Sequence, residues 1–173
     1  MKIRKALKSE AAQIGAFYDK VVLWLERHIN YPKWIYGVYP SEGSAKKAAE
    51  AGVQYICLER GEIVGAFVLS PDPEGSYQNG SWTRSVPEGS YLVLHALAVA
   101  PERQRQGAGS EAVRFCIEAA RRGGYAALRL DIVPDNYPAG RLYEKHGFRY
   151  VGDADLERGI ENIPAFSLYE LNL

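Results

Sequence analysis

Apolar positions recur along the chain at spacings that change several times, and each change marks an element. Lys2 to Leu7 alternates as a short strand does. From Ala11 onward Ile14, Ala16, Phe17, Val21, Leu25 and Ile29 recur at helical spacing, with Ser9 as the expected cap. Tyr31 to Pro40, with two prolines and several aromatics, reads as a loop, and Ser41 then caps a short helix that Gly52 stops. Val53–Glu59 and Ile63–Ser70 are rich in β-formers and predict a hairpin across Arg60, Gly61 and Glu62. Pro71 to Gly89 is turn-rich and predicts a long excursion, here expected to act as a lid. Tyr91 to Val99 is apolar at nearly every position, the pattern of a strand covered on both faces. A helical stripe over Ser110–Arg122, a second buried strand over Ala126–Val133, a helix from Asp135 or Asn136 to His146, and strands at Phe148–Gly152 and Ala165–Leu171 complete the chain.

The predicted order, βααβββαβαββ, gives an α/β fold. It implies a mixed sheet of about six to seven strands with about four helices on both faces, in one domain over residues 1–173. Composition agrees with a globular chain, at 47% hydrophobic and 24% charged residues. Lys plus Arg and Asp plus Glu each number 21, which argues against a nucleic-acid partner despite Arg103, Arg105, Arg121 and Arg122. The apolar runs are too short to span a bilayer, so no membrane partner is expected. Cys57 and Cys116 have no metal-ligand spacing, the three histidines are scattered, and no metal is expected; two lone cysteines suit a reducing cytoplasm.

The strand at Tyr91–Val99 feeds Ala100-Pro101-Glu102-Arg103-Gln104-Arg105-Gln106-Gly107-Ala108-Gly109 and then a helix. A basic, glycine-containing loop opening into a helix suits an anion, because the unpaired amides of the first turn and the helix dipole both point at it. A tight turn with solvated arginines is the alternative. The segment Gln104 to Gly109 resembles the Gln/Arg-x-x-Gly-x-Gly/Ala motif of the GNAT superfamily of N-acetyltransferases. Asn136-Tyr137-Pro138-Ala139-Gly140-Arg141-Leu142-Tyr143-Glu144-Lys145-His146-Gly147-Phe148 is similar to that family's Asn-x-x-Ala-x-x-x-Tyr-x-x-x-Gly-Phe stretch, one helix and one strand further on.

The resemblance implies acetyl-CoA as co-substrate and transfer of its acetyl group to a primary amine by direct attack. It places the pyrophosphate on Gln104, Arg105, Gln106, Gly107, Ala108, Gly109 and Ser110. The pantetheine arm then meets backbone at Leu97, Ala98 and Val99, with Asn136 beyond. Tyr143, seven residues after Asn136 and on the same helical face, is the expected proton donor to the leaving thiolate and also lies with the cofactor; a core tyrosine is the alternative. His95 interrupts an apolar strand and alternates with Val93, Leu97 and Val99. It is the expected base, in a segment similar to that of aralkylamine N-acetyltransferases, which carry a second histidine where this chain has Val93. A satisfied core histidine is the alternative. His146 is expected to cap carbonyls at its helix end, and Asp131 to orient the amine or to bond a loop.

Trp24, Tyr31, Trp34, Tyr36, Tyr39, Tyr77, Trp82 and Tyr91 either wall a pocket for a small apolar or cationic amine or pack under irregular backbone. A small-molecule acceptor is expected over a protein amine. A non-catalytic acyl-CoA-binding sensor or interaction module is the alternative function. The final strands offer an edge suited to pairing in a homodimer.

Overall fold

The computed structural model describes residues 1–173. The elements follow the expected order: β1 (Lys2–Lys5), α1 (Ala11–Glu26), α2 (Glu42–Glu50), β2 (Gln54–Glu59), β3 (Glu62–Ser70), β4 (Tyr91–Val99), α3 (Ala108–Arg122), β5 (Ala127–Ile132), α4 (Tyr137–Lys145), β6 (Arg149–Ala154) and β7 (Phe166–Asn172). The seven strands make one mixed sheet in the order β1-β2-β3-β4-β5-β7-β6. β1, β2 and β3 are antiparallel neighbours, as are β5, β7 and β6. β4 and β5 run parallel, a pairing that needs a crossover element, and α3 supplies it. By its contacts the chain forms two compact units, residues 1–69 with 96–112 and residues 70–95 with 113–173.

In the first unit, Ile14, Phe17, Tyr18 and Val21 form one stripe of α1 and pack with Ala45, Ile56, Ala66 and Ala98. Gly15 lets α2 approach: a Cβ there would lie 2.6 Å from the Glu42 side chain and 2.7 Å from its Cα. Ser41 caps α2 as expected, its hydroxyl accepting from the Ser44 amide. The start of α1 differs from expectation. Ser9 caps nothing; Lys8–Glu10 is a 3₁₀ turn, and the Glu10 carboxylate accepts from the Leu7 amide at 2.7 Å and from Arg4 at 2.6 and 2.8 Å. The far end differs too. α1 stops at Glu26, where His28 bonds the Trp24 carbonyl through Nδ1 and stacks on the Trp24 ring, leaving Ile29 exposed. The β2–β3 hairpin closes through Arg60 and Gly61, both at positive φ (50° and 88°), which matches the twist of the flanking strands.

The second unit packs Tyr77, Tyr91, Val93, Ala127, Leu156, Phe166 and Leu168 together. Its excursion over residues 71–89 is tied to neighbouring segments by several hydrogen bonds. The Asn79 amide donates to the Asp155 carbonyl, Trp82 Nε1 to the Tyr77 carbonyl, and Ser76 bonds the Glu157 carboxylate. The Thr83 amide donates to Glu170, and Arg129 donates to the Arg84 carbonyl.

Candidate active site

The loop before α3 belongs to the first unit. Pro101–Arg103 forms a 3₁₀ turn, Arg105 and Gly107 take positive φ (59° and 90°), and α3 begins at Ala108. The Glu111 amide makes its helical bond to the Gly107 carbonyl at 3.0 Å, so the amides of Ala108, Gly109 and Ser110 precede the first acceptor inside the helix. A Cβ on Gly107 would meet nothing within 4 Å. Open space over a positive-φ glycine, beside unpaired amides at the positive end of a 15-residue helix, is a cradle that fits an anionic diphosphate.

The charges around the cradle are unequal. Arg103 is paired with Glu59 and donates to Gln106 Oε1 at 2.9 Å, while Arg105 is exposed. The Gln106 side chain donates to the Glu102 carbonyl and the Gln104 side chain to the Val99 carbonyl at 3.4 Å, tying the loop to the end of β4. In β4 itself Ala96 sits at φ 50°, and its carbonyl accepts from the buried Tyr18 hydroxyl at 3.2 Å. The regular pleat is therefore interrupted between His95 and Leu97, and the alternation expected to put them on one face does not run through unbroken. Leu97 and Val99 are half-buried and Ala98 packs into the core.

The second unit carries His95, Asn136 and Tyr143. His95 is 8% exposed, and its Nε2 lies 3.1 Å from the Asp72 carbonyl. A carbonyl only accepts, so Nε2 carries a hydrogen, and in the neutral ring the lone pair lies on Nδ1. Asn136 caps α4, its side-chain oxygen accepting from the Ala139 amide, which leaves its NH₂ as the group able to hold a ligand. Tyr143 is 6% exposed and packs against Phe148 and Tyr169. Burial, then the neighbouring Cys116 and Asp131, push its phenol far above its ordinary range, so it stays protonated at any physiological pH.

Other expectations change. His146 caps no carbonyl through Nε2, which is buried without a partner, because the last turn of α4 is closed by backbone bonds from His146 and Gly147. Asp131 is committed to Arg158 at 2.7 and 2.8 Å and accepts from the Tyr77 hydroxyl at 2.7 Å. Tyr77, Trp82 and Tyr91 are packing residues, and the cation between the last two is the protein's own: the Arg129 guanidinium lies 4.2 Å from the Trp82 ring and 4.4 Å from Tyr91. In the α1–α2 connection, by contrast, Ile35, Tyr36, Val38 and Tyr39 are exposed. Burial pushes the Cys57 thiol up to about 12, and Cys116 is fully buried, so neither is a ready nucleophile. Sequence reasoning missed Arg158; an arginine in an irregular segment gives no signal of a partner 27 positions away.

No protein with a curated description matches this chain by sequence. Its fold is shared with solved structures. An acetyltransferase of the GNAT family from Streptococcus agalactiae is 18% identical over 99% of this chain and 95% of that one, with a TM-score of 0.79. The yncA protein from Salmonella typhimurium, solved with its cofactor acetyl-CoA, is 20% identical over 99% of this chain and 93% of that one, with a TM-score of 0.69. A ribosomal-protein-alanine N-acetyltransferase from Brucella melitensis is 17% identical over 100% of both chains, with a TM-score of 0.72. The model of the acetyltransferase (GNAT) family matches residues 22–148, which take in the glycine loop, β4 and α4, and the chain belongs to that family of enzymes.

Proposed function

We propose that residues 1–173 act as one N-acetyltransferase domain that moves the acetyl group of acetyl-CoA onto the primary amine of a small molecule. The cradle over Gly107 carries this reading, since it offers unpaired amides and open space to a diphosphate. The family match, which runs through segments of both units, supports the single domain. Acetyl-CoA supplies an acyl thioester. His95 Nδ1 takes the proton that the attacking amine must lose, and Tyr143 donates its O–H toward the sulfur that departs as the C–S bond gives way to C–N. The raised phenol shapes that second role: full transfer to a thiolate of ordinary basicity is uphill, so Tyr143 stabilises the sulfur as a hydrogen-bond donor. Two unreactive thiols favour direct attack over an acyl-enzyme, and two free buried cysteines suit a reducing cytosol. The exposed apolar side chains between α1 and α2 favour an acceptor with an aromatic or alkyl body.

The test is release of coenzyme A thiol from acetyl-CoA across aromatic amines, polyamines, amino acids and peptides, with wild type and Tyr143→Phe side by side. One amine class should give release, and the variant should bind acetyl-CoA as well as wild type while turning over at least about tenfold more slowly. Equal turnover removes Tyr143 from the chemistry. Release with peptides alone replaces the small-molecule acceptor with a protein amine, and binding without release from any amine favours a sensor.

A further inference from the structure

The three consecutive carbonyls of Asp72, Pro73 and Glu74 are each held by a side chain from elsewhere in the second unit. The Asp72 carbonyl accepts from His95 Nε2 at 3.1 Å. The Pro73 carbonyl accepts from Arg158 Nη2 at 3.1 Å and the Glu74 carbonyl from Arg158 Nε at 2.7 Å. Arg158 is fixed in turn by both oxygens of Asp131, at 2.7 and 2.8 Å, and its guanidinium lies 4.7 Å from the Phe166 ring. The Tyr77 hydroxyl completes the set on Asp131 Oδ1. Asp72 is braced locally as well, its amide donating to Ser70 Oγ and its carboxylate accepting from the Glu74 amide.

We propose that Arg158 and Asp131 are positioning residues for His95, fixing the 72–74 backbone so that the Asp72 carbonyl holds the imidazole in its Nε2–H form with Nδ1 free to accept a proton. This rests on the reading of His95 as the base. The geometry has a directional logic. A planar guanidinium can meet two adjacent carbonyls and a carboxylate at once, which a lysine ammonium on a single point cannot match. Segment 72–74 is exposed at Asp72 and Glu74 and lies outside any strand, so without Arg158 the backbone has no other charged tether at Pro73 and Glu74. Losing the carbonyl's position leaves the two imidazole tautomers free to exchange, and one of them puts the hydrogen on the atom that must accept.

The experiment is two-bond proton–nitrogen correlation of the full chain labelled at histidine, with His95→Gln identifying the His95 signal among the three histidines. Wild type should show His95 as a single Nε2–H tautomer at neutral pH. Arg158→Gln should give exchange-averaged nitrogens, shift the acidic limb of the pH–rate profile, and lower kcat about tenfold with the KM for acetyl-CoA unchanged. Arg158→Lys and Asp131→Asn should fall between, and they carry the test if Arg158→Gln does not fold. A wild type without one fixed tautomer, or a folded Arg158 or Asp131 variant that keeps it pure, overturns the proposal. The spectra need no turnover: a fixed tautomer that responds to Arg158 in a chain that acetylates no amine would leave the positioning intact and sink the functional reading instead.

Discussion

Gly107 holds a backbone angle of +90° where an L side chain is strained, yet an added methyl group would touch no protein atom within 4 Å. Gly107→Ala should therefore cost stability of only about 1–2 kcal/mol, from the dihedral alone. A fold that survives this can report on the cradle. Calorimetric titration with acetyl-CoA on the folded variant should show weakened binding, and unchanged affinity would move the diphosphate site elsewhere. Ala96 presents the opposite case, because nothing about an alanine in an apolar run signals a φ of 50°. The break in β4 coincides with the bond from Tyr18, 78 positions earlier, and only the packed chain supplies that donor.

At the scale of elements, caps and turns decide the boundaries. Ser41 is legible because its hydroxyl acts three residues away, and the Arg60–Gly61 turn because its strands are adjacent in sequence. Ser9 misleads because Arg4 recruits Glu10 and the chain enters α1 through a 3₁₀ turn. At the end of α4, burial, with Arg114 and Lys145 nearby, lowers the His146 imidazole below its ordinary value. The unfolded chain then binds the proton more readily than the folded one. The stability that neutral His146 preserves is complete above about pH 6.5 and is lost as pH falls from there toward the depressed folded value. His146→Leu removes both this titration and a buried nitrogen without a partner. Urea midpoints of variant and wild type should thus diverge in the variant's favour between pH 7.5 and pH 5, and a constant difference would show that His146 does not titrate differently on folding.

Across the second unit, one buried ion pair joins strands and excursion. Arg129 on β5 bonds Glu170 on β7 at 3.0 and 3.2 Å with both side chains nearly inaccessible, at 3% and 1%. Glu170 also takes the amide and hydroxyl of Thr83, and Arg129 takes the Arg84 carbonyl between the Trp82 and Tyr91 rings. Glu170→Ala leaves a buried guanidinium without its countercharge and removes the two bonds that the carboxylate makes to Thr83. Chemical denaturation should register a loss of about 3–5 kcal/mol, with earlier proteolysis in the excursion. A loss under about 1 kcal/mol would mean that water replaces the carboxylate.

The order of elements, the mixed sheet, the glycine-containing turn before α3 and the helix capped by Asn136 were all legible in the sequence by itself, because periodicity, caps and short motifs act over a few residues. What folding alone decided lies in pairs far apart in sequence. Trp82 and Tyr91 flank Arg129 instead of walling a pocket, and Asp131 meets both Tyr77 and Arg158. The 71–89 segment is tied to Asp155 and Glu170, and the His95 imidazole meets a backbone carbonyl 23 positions away. Each depends on which polar group finds its partner once water is excluded, and a side chain carries no mark of that partner in the linear chain.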